Sequence, residues 1–402
     1  MSQRGRFYDA VLTEHLQLHR QMAMVSGPRQ VGKTTTCRKL ATTYLDWDNL
    51  DHRRVLLKGP AATAERLGLN RLRTGATVAV FDELHKYSRW KTFLKGLHDT
   101  FGGELQILVT GSSRMDVYRR GGDSMMGRYF LYRIHPFSVG EVAHQDLPDS
   151  QLVIREPRRI PDAEFQALWE HGGFPEPFLK REIRFTRRWS GLRHQQLLRE
   201  DIRELTKIQD VGQIEMLVAV LLERSADQLI YSNLASEVMV SVDTVRRWVD
   251  TLCRFHLGFL VRPWFRNVSR SLRKEPKWLL RDWSGIADDG KRTETFIGCH
   301  LLKAVEGWTD LGLGKFDLHY LRDRNKREVD FLVVRDRKPW LLVEVKNSSD
   351  RIGPSLALFQ QQTGAPYAFQ VVLESEFVDA DCFASPGPPR IVPARTFLSQ
   401  LL

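Results

Sequence analysis

The chain has 402 residues, 60 of them Lys or Arg against 49 Asp or Glu, for a formal charge of +11. An apolar share of 42% with 27% charged residues suits a globular protein with several cores and excludes a disordered or collagen-like chain. No apolar run approaches the ~18–20 residues of a membrane span, MSQRGRFYDA carries no apolar leader, and Cys37, Cys253, Cys299 and Cys382 lie too far apart for a zinc set or a disulfide framework, so a reducing cytoplasm is expected.

Up to about Gly140 the pattern alternates strand and helix. MAMVS, TYLDW, TVAVF, LQILVT and YFLYRI read as short buried strands, with KTTTCRKLA, WKTFLKGLHDTF and SSRMDVYRR as helices between them. Such alternation predicts a parallel α/β sheet. From about Glu141 to Lys207 the chain reads as mostly helical, broken by the turn-like HGGFPEP at His171–Pro177. A compact helical stretch runs on to about Phe265. A basic connector follows, and the remainder returns to mixed strands and helices.

Gly27–Thr34, GPRQVGKT, satisfies G-x-x-x-x-G-K-[ST] between a buried strand and a helix. In that setting glycines let backbone N–H groups surround a phosphate, Lys33 reaches the β- and γ-phosphates, and the Thr34 hydroxyl ligates Mg²⁺. The expected ATP site comprises Gly27, Pro28, Arg29, Gln30, Val31, Gly32, Lys33, Thr34 and Thr35, with Asp82 and Thr110. TVAVFDE ends in Asp82, the expected second holder of Mg²⁺, and Glu83, the expected polariser of the attacking water. Thr110-Gly111-Ser112 ends another buried strand, where a group sensing the γ-phosphate belongs. Arg128, just before the fifth strand, is a candidate arginine finger acting on a neighbour's nucleotide, and Arg114 competes for that role.

In this order, GPRQVGKTT, VFDELHK, VTGSSR, the Gly-Arg before the fifth strand, HPFSVGE and HGGFPEP resemble a family of prokaryotic AAA-type ATPases. The resemblance implies nucleotide hydrolysis, a winged helix and a C-terminal domain similar to PD-(D/E)XK nucleases. The expected fold is therefore α/β: a P-loop AAA-type ATPase core over 1–140, a helical lid over 141–207, a winged helix over 208–275 and a PD-(D/E)XK-like domain over 276–402.

Gln228–Phe259 itself has helix-turn-helix spacing. Ser232 is the expected cap of a helix NLASEVM, Val240–Asp243 the turn, and Ser241 the cap of TVRRWVDTLCRF, with GFLVRPWFR where a wing would sit. Arg246 and Arg247 fall on the exposed side of the second helix and are the expected DNA contacts.

Further on, REVDFLVVRDRKPWLLVEVKN reads as an antiparallel hairpin turning at Asp336–Pro339. A register centred on Arg337 places Asp330 opposite Glu344 and Glu328 opposite Lys346, on one face. The pattern matches D-x(n)-E-x-K, in which acids bind Mg²⁺ and the lysine serves the phosphoryl transition state. Glu294, on the preceding helix, completes an expected metal set of Glu294, Asp330 and Glu344, with Glu344 and Lys346 as catalytic groups.

These readings favour an ATP-driven protein acting on DNA, branched or forked, and assembling with copies of itself, a ring being one form. An ATP-gated switch controlling a nuclease effector is the alternative. A purely DNA-binding regulator has no use for a water-activating carboxylate at Glu83. Basic residues concentrate at Lys180–Arg199 and Arg262–Lys277, the expected track for DNA.

Overall fold

The computed structural model describes residues 4–72, 75–111, 125–144, 152–198, 211–265 and 275–402. The chain divides into two compact units. Among the described residues, one runs up to His135; the other comprises Pro136–His144 and residues 152–402.

The first unit is built on a parallel five-stranded sheet of β1 (Met22–Ser26), β2 (Thr43–Asp46), β3 (Thr77–Asp82), β4 (Leu105–Thr110) and β5 (Tyr129–Arg133). Their order is β2-β3-β4-β1-β5, so β1 and β4 lie inside the sheet. All five residues of β1 are buried, as an unbroken apolar run demands of a strand covered on both faces. Helix α1 (Phe7–Leu18) precedes the sheet, and α2 (Lys33–Leu40), α3 (Leu50–Leu57), α4 (Pro60–Arg66) and α5 (Trp90–Phe101) connect its strands. Trp90, Phe93, Leu94 and Leu97 of α5 are buried at helical spacing and join Met24, Phe81, Ile107 and Val109 in one core. The five predicted strands all form. The expected helix SSRMDVYRR lies outside the described residues.

The second unit opens with α6 (Val139–Ala143), α7 (Asp162–His171), α8 (Pro175–Lys180) and α9 (Ile183–Gln196). HGGFPEP is a close-packing device here. A Cβ on Gly173 would run into the Phe137 carbonyl oxygen, and one on Gly172 would come 2.7 Å from Asp282 Oδ1. Phe137 N donates to Gly173 O at 2.7 Å.

Next come α10 (Val211–Glu223), α11 (Tyr231–Glu237) and α12 (Val242–Arg254). α11 begins one residue before Ser232 and has no side-chain cap, so Ser232 lies within the helix instead of capping it. Ser241 does cap α12, accepting from Thr244 N at 3.1 Å. Val245, Trp248, Val249 and Leu252 form the buried stripe of α12.

Beyond it, β6 (Gly258–Pro263) and β7 (Lys277–Leu280) pair antiparallel. They extend a seven-stranded sheet with β8 (Phe316–Arg322), β9 (Glu328–Arg335), β10 (Lys338–Lys346), β11 (Tyr367–Val372) and β12 (Arg390–Pro393), in the order β12-β11-β10-β9-β8-β6-β7. The long helix α13 (Asp289–Asp310) buries Phe296, Leu301 and Trp308, while α14 (Pro354–Thr363) joins Leu332, Leu342 and Ala368 through Leu356 and Phe359. α15 (Ala394–Ser399) closes the unit, where Ser138 Oγ donates to Leu402 O at 2.7 Å.

The β9–β10 turn is two residues long, Asp336 and Arg337, both at positive φ, shorter than the expected Asp336–Pro339 loop. This is the backbone a tight hairpin requires. The register starts at Arg335↔Lys338 and slips by one between Pro339 and Leu341, so that Phe331 faces Val343. That bulge restores the register expected from a turn centred on Arg337.

Candidate functional site

Three chain segments meet at the C-terminal ends of the adjacent strands β3, β4 and β1, the end of a parallel sheet at which ligands bind. Gly27 leaves β1 with φ 147°, where an added Cβ would strike the Ile134 carbonyl. Gly32 is left-handed (φ 99°) and immediately precedes α2. These two glycines permit the tight loop and aim the start of α2 at its hollow. Lys33 is buried and donates to Gly27 O at 2.9 Å and Pro28 O at 2.7 Å. Burial pushes its pKa down to about 8, although Glu83 and Asp82 act the other way.

Asp82 ends β3 and collects three hydroxyls. Thr34 Oγ1 donates to Oδ2 at 2.8 Å, Tyr44 Oη to the same oxygen at 2.5 Å, and Thr110 Oγ1 to Oδ1. The structure thus brings Lys33, Thr34, Asp82 and Thr110 together. Glu83 follows with φ 52°, left-handed for a residue with a Cβ, a strained backbone of the kind held at functional sites. Burial raises its carboxyl pKa, against the pull of Lys86 and Lys33. Pro28, Arg29, Gln30, Val31 and Thr35 occupy the loop and the first turn of α2, and Gln30 also has positive φ (61°).

Two supports of this site carry no motif. Arg6, buried ahead of α1, donates to Val31 O at 2.8 Å and His135 O at 2.7 Å, bracing the loop from behind. Tyr44 is the other, and the Arg38 guanidinium lies 3.9 Å from its ring centroid. The one signal for it in the sequence is a tyrosine within the edge strand TYLDW.

Arg128 lies at the opposite end of the sheet. Tyr129 is paired with Met22 and Arg133 with Ser26, so a strand of five residues, roughly 17 Å, separates Arg128 from the loop after Ser26. Its Nε and Nη2 hold Asp99 at 2.8 and 3.0 Å, which keeps the Asp99 carboxyl below its usual range. Arg114 and Ser112 lie outside the described residues.

In the second unit Arg246 and Arg247 are exposed on α12. Arg246 sits 4.9 Å from the Tyr231 ring centroid, and Arg247 donates to Thr244 Oγ1 at 3.2 Å. On α9, Arg184, Arg187 and Arg188 form an exposed stripe. Arg193 does not belong to that surface: it is buried over the Phe174 ring, 4.0 Å from the centroid, and desolvation lowers its pKa to about 10. Arg199 and residues 266–274 of the basic connector lie outside the described residues.

The C-terminal acids are organised differently from the expected metal set. Lys277, at the start of β7, points its ammonium at Glu294 Oε1 (2.7 Å), Asp330 Oδ1 (3.4 Å) and Glu328 Oε1. Those carboxylates hold the lysine well above its ordinary pKa, while burial and the Asp330 charge push Glu294 up to about 8. Glu328 also pairs with Arg322 at 2.8 Å, and Lys346 pairs with Glu344 at 2.8 Å instead of with Glu328. Asp330 Oδ2 accepts from Val345 N at 2.8 Å. Among the described residues, no three His, Cys, Asp or Glu side chains are gathered to hold a metal ion; Glu294, Asp330 and Glu328 surround the Lys277 ammonium, and Glu344 pairs with Lys346. The signal for Lys277 was a lysine opening the otherwise apolar strand KWLL.

Among the described residues, no helix is long and apolar enough to cross a membrane. Residues 162–287 and 289–380 match two domains of unknown function, DUF8612 and DUF4143. Uncharacterized proteins of Mycobacterium bovis and Mycobacterium tuberculosis are each 24% identical over 361 residues, covering 85% of this chain and 74% of theirs. Among solved structures, the Aeropyrum pernix ORC1 protein in complex with DNA is 14% identical, with TM-score 0.31 and coverage of 72% of this chain and 90% of that one. C. elegans PCH-2 is 13% identical, with TM-score 0.24 and coverage of 60% and 66%. Residues 19–143 match the family model of the AAA domain, which supports an AAA-type ATPase in this part of the chain and implies nucleotide binding, generally with Mg²⁺.

Proposed function

We propose that the protein is an ATP-hydrolysing AAA-type machine that assembles with copies of itself in the cytoplasm and acts on DNA. The observation that carries the hydrolytic part is the convergence of Thr34, Thr110 and Tyr44 on Asp82 beside the buried Lys33. Thr34 and Asp82 already share a hydrogen bond at the mouth of the loop, so the donor set suits Mg²⁺, which they would hold together with phosphate oxygens. When bound, the ion supplies positive charge to the phosphates. Lys33 would exchange its hold on Gly27 O and Pro28 O for the β- and γ-phosphates. Glu83 would orient the water and accept its proton, a role suited to a carboxyl whose pKa is raised by burial. Thr110 would sense the γ-phosphate through Asp82.

The position of Arg128 supports its reading as a finger: roughly 17 Å of strand away from its own phosphate loop, it would act on a neighbour's nucleotide, which requires an oligomer. Asp99 then holds the guanidinium in place until a neighbour docks.

The DNA reading rests on α9, α11, α12 and the β6–β7 pair. Helix, turn, helix and antiparallel pair follow in the order of a winged helix, with Arg246 and Arg247 on the open side of α12. The residues around 141–207 would serve as the lid. Residues 276–402 run α13-β8-β9-β10-α14-β11, the order of a PD-(D/E)XK-like domain, which would grip DNA. The test is ATPase activity of the full chain with and without forked DNA, alongside Glu83→Gln. Hydrolysis that rises on DNA and disappears in the variant is expected; hydrolysis untouched by Glu83→Gln would refute the assignment of the base.

A further inference from the structure

The carboxylates of the C-terminal domain already have a cation. Lys277 is 3% exposed, and its ammonium contacts Glu294 on α13 together with Glu328 and Asp330 on β9. An ammonium has three donors and no acceptor, and three carboxylates take them up. Around this centre, Arg322 neutralises Glu328 and Lys346 neutralises one oxygen of Glu344. The other oxygen, Glu344 Oε2, is buried without a hydrogen-bond partner. That oxygen could serve an ion, so what bars one is the Lys277 ammonium. A divalent ion would have to displace this buried ammonium from Glu294, Glu328 and Asp330.

We infer that Lys277 is the resident cation of this cluster, standing where a divalent ion would sit, so that the native C-terminal domain binds no Mg²⁺ or Mn²⁺ at Glu294, Asp330 and Glu344. The domain then holds DNA without cutting it by a metal-dependent route. The inference rests on the nuclease-like reading of this domain only for the expectation of a metal, and its test needs neither DNA nor nucleotide. Failure of the DNA reading therefore leaves the test intact.

Full-length protein, free of nucleotide, is titrated with Mn²⁺ by calorimetry, and its thermal unfolding is followed over the same concentrations. The wild type should show no Mn²⁺ binding that Asp330→Asn removes, and no rise in Tm that Asp330→Asn removes. Lys277→Met should gain at least about tenfold in Mn²⁺ affinity, and its Tm should climb with Mn²⁺ as mass action requires. The double variant with Asp330→Asn should lose the gain, and Lys277→Arg, which keeps the charge, should bind none at this cluster. If Lys277→Met is unfolded without metal, refolding on addition of Mn²⁺ is the expected result. Wild-type binding abolished by Asp330→Asn would overturn the inference, as would a Lys277→Met protein that neither binds Mn²⁺ nor recovers with it.

Discussion

Lys33 turns its ammonium back onto the carbonyls of Gly27 and Pro28, and burial holds its pKa near 8. Phosphate favours the charged form, so above pH 8 nucleotide binding must take up a proton. The sign is therefore fixed: affinity is full below pH 8 and falls as pH rises through it, by about tenfold per pH unit once the free lysine is neutral. Calorimetry in buffers of different ionisation enthalpy should show much larger proton uptake at pH 9 than at pH 7. Lys33→Ala should abolish binding and turnover together. These residues were legible because the phosphate-loop chemistry dictates both residue type and spacing. Arg6, Tyr44 and Lys277 were not, since each acts through a residue far away in the chain: Val31, Asp82 and Glu294 respectively.

At the level of elements, hydrophobic pattern found the strands well. β1 is an unbroken buried run, and the β9–β10 register came out as expected because a bulge near Trp340 offsets a turn shorter than anticipated. Pattern was less able to separate a solvated arginine from a buried one. In α9, Arg184, Arg187 and Arg188 face outward while Arg193 stacks on Phe174 in the interior, a distinction made by a ring that lies outside α9 in sequence. If the outward three meet phosphates, replacing them by alanine should flatten the salt dependence of DNA binding by about 0.9 in log–log slope for each phosphate no longer neutralised. An unchanged slope in a fluorescence-anisotropy titration would remove α9 from the DNA track. HGGFPEP carries a different prediction. Gly173→Ala forces a methyl group into the Phe137 carbonyl and Trp283, and overpacking of this kind costs roughly 1–3 kcal/mol. Thermal unfolding of the full chain should show the second unit losing stability.

For the whole molecule the decisive feature is the separation of Arg128 from its own phosphate loop by the length of β5. On the proposed reading, a monomer organised in this way lacks one group of its hydrolytic site. Arg128→Ala should therefore suppress turnover by about 10³-fold or more while leaving ATP affinity nearly unchanged, and mixing it with a Glu83→Gln chain should recover part of the activity, since each would supply what the other lacks. Absence of that recovery in assembled mixed oligomers would place the finger elsewhere. The excess of positive charge has its counterpart in the exposed arginines of α9 and α12, and on the proposed reading nucleotide hydrolysis and a polyanion-binding surface belong to one chain. Steady-state ATP hydrolysis by the full-length wild type, with and without forked DNA at low salt, tests that connection most directly. The account predicts a rate that rises on DNA, saturates, and is lost in Lys33→Ala. A rate that DNA leaves unchanged would contradict it.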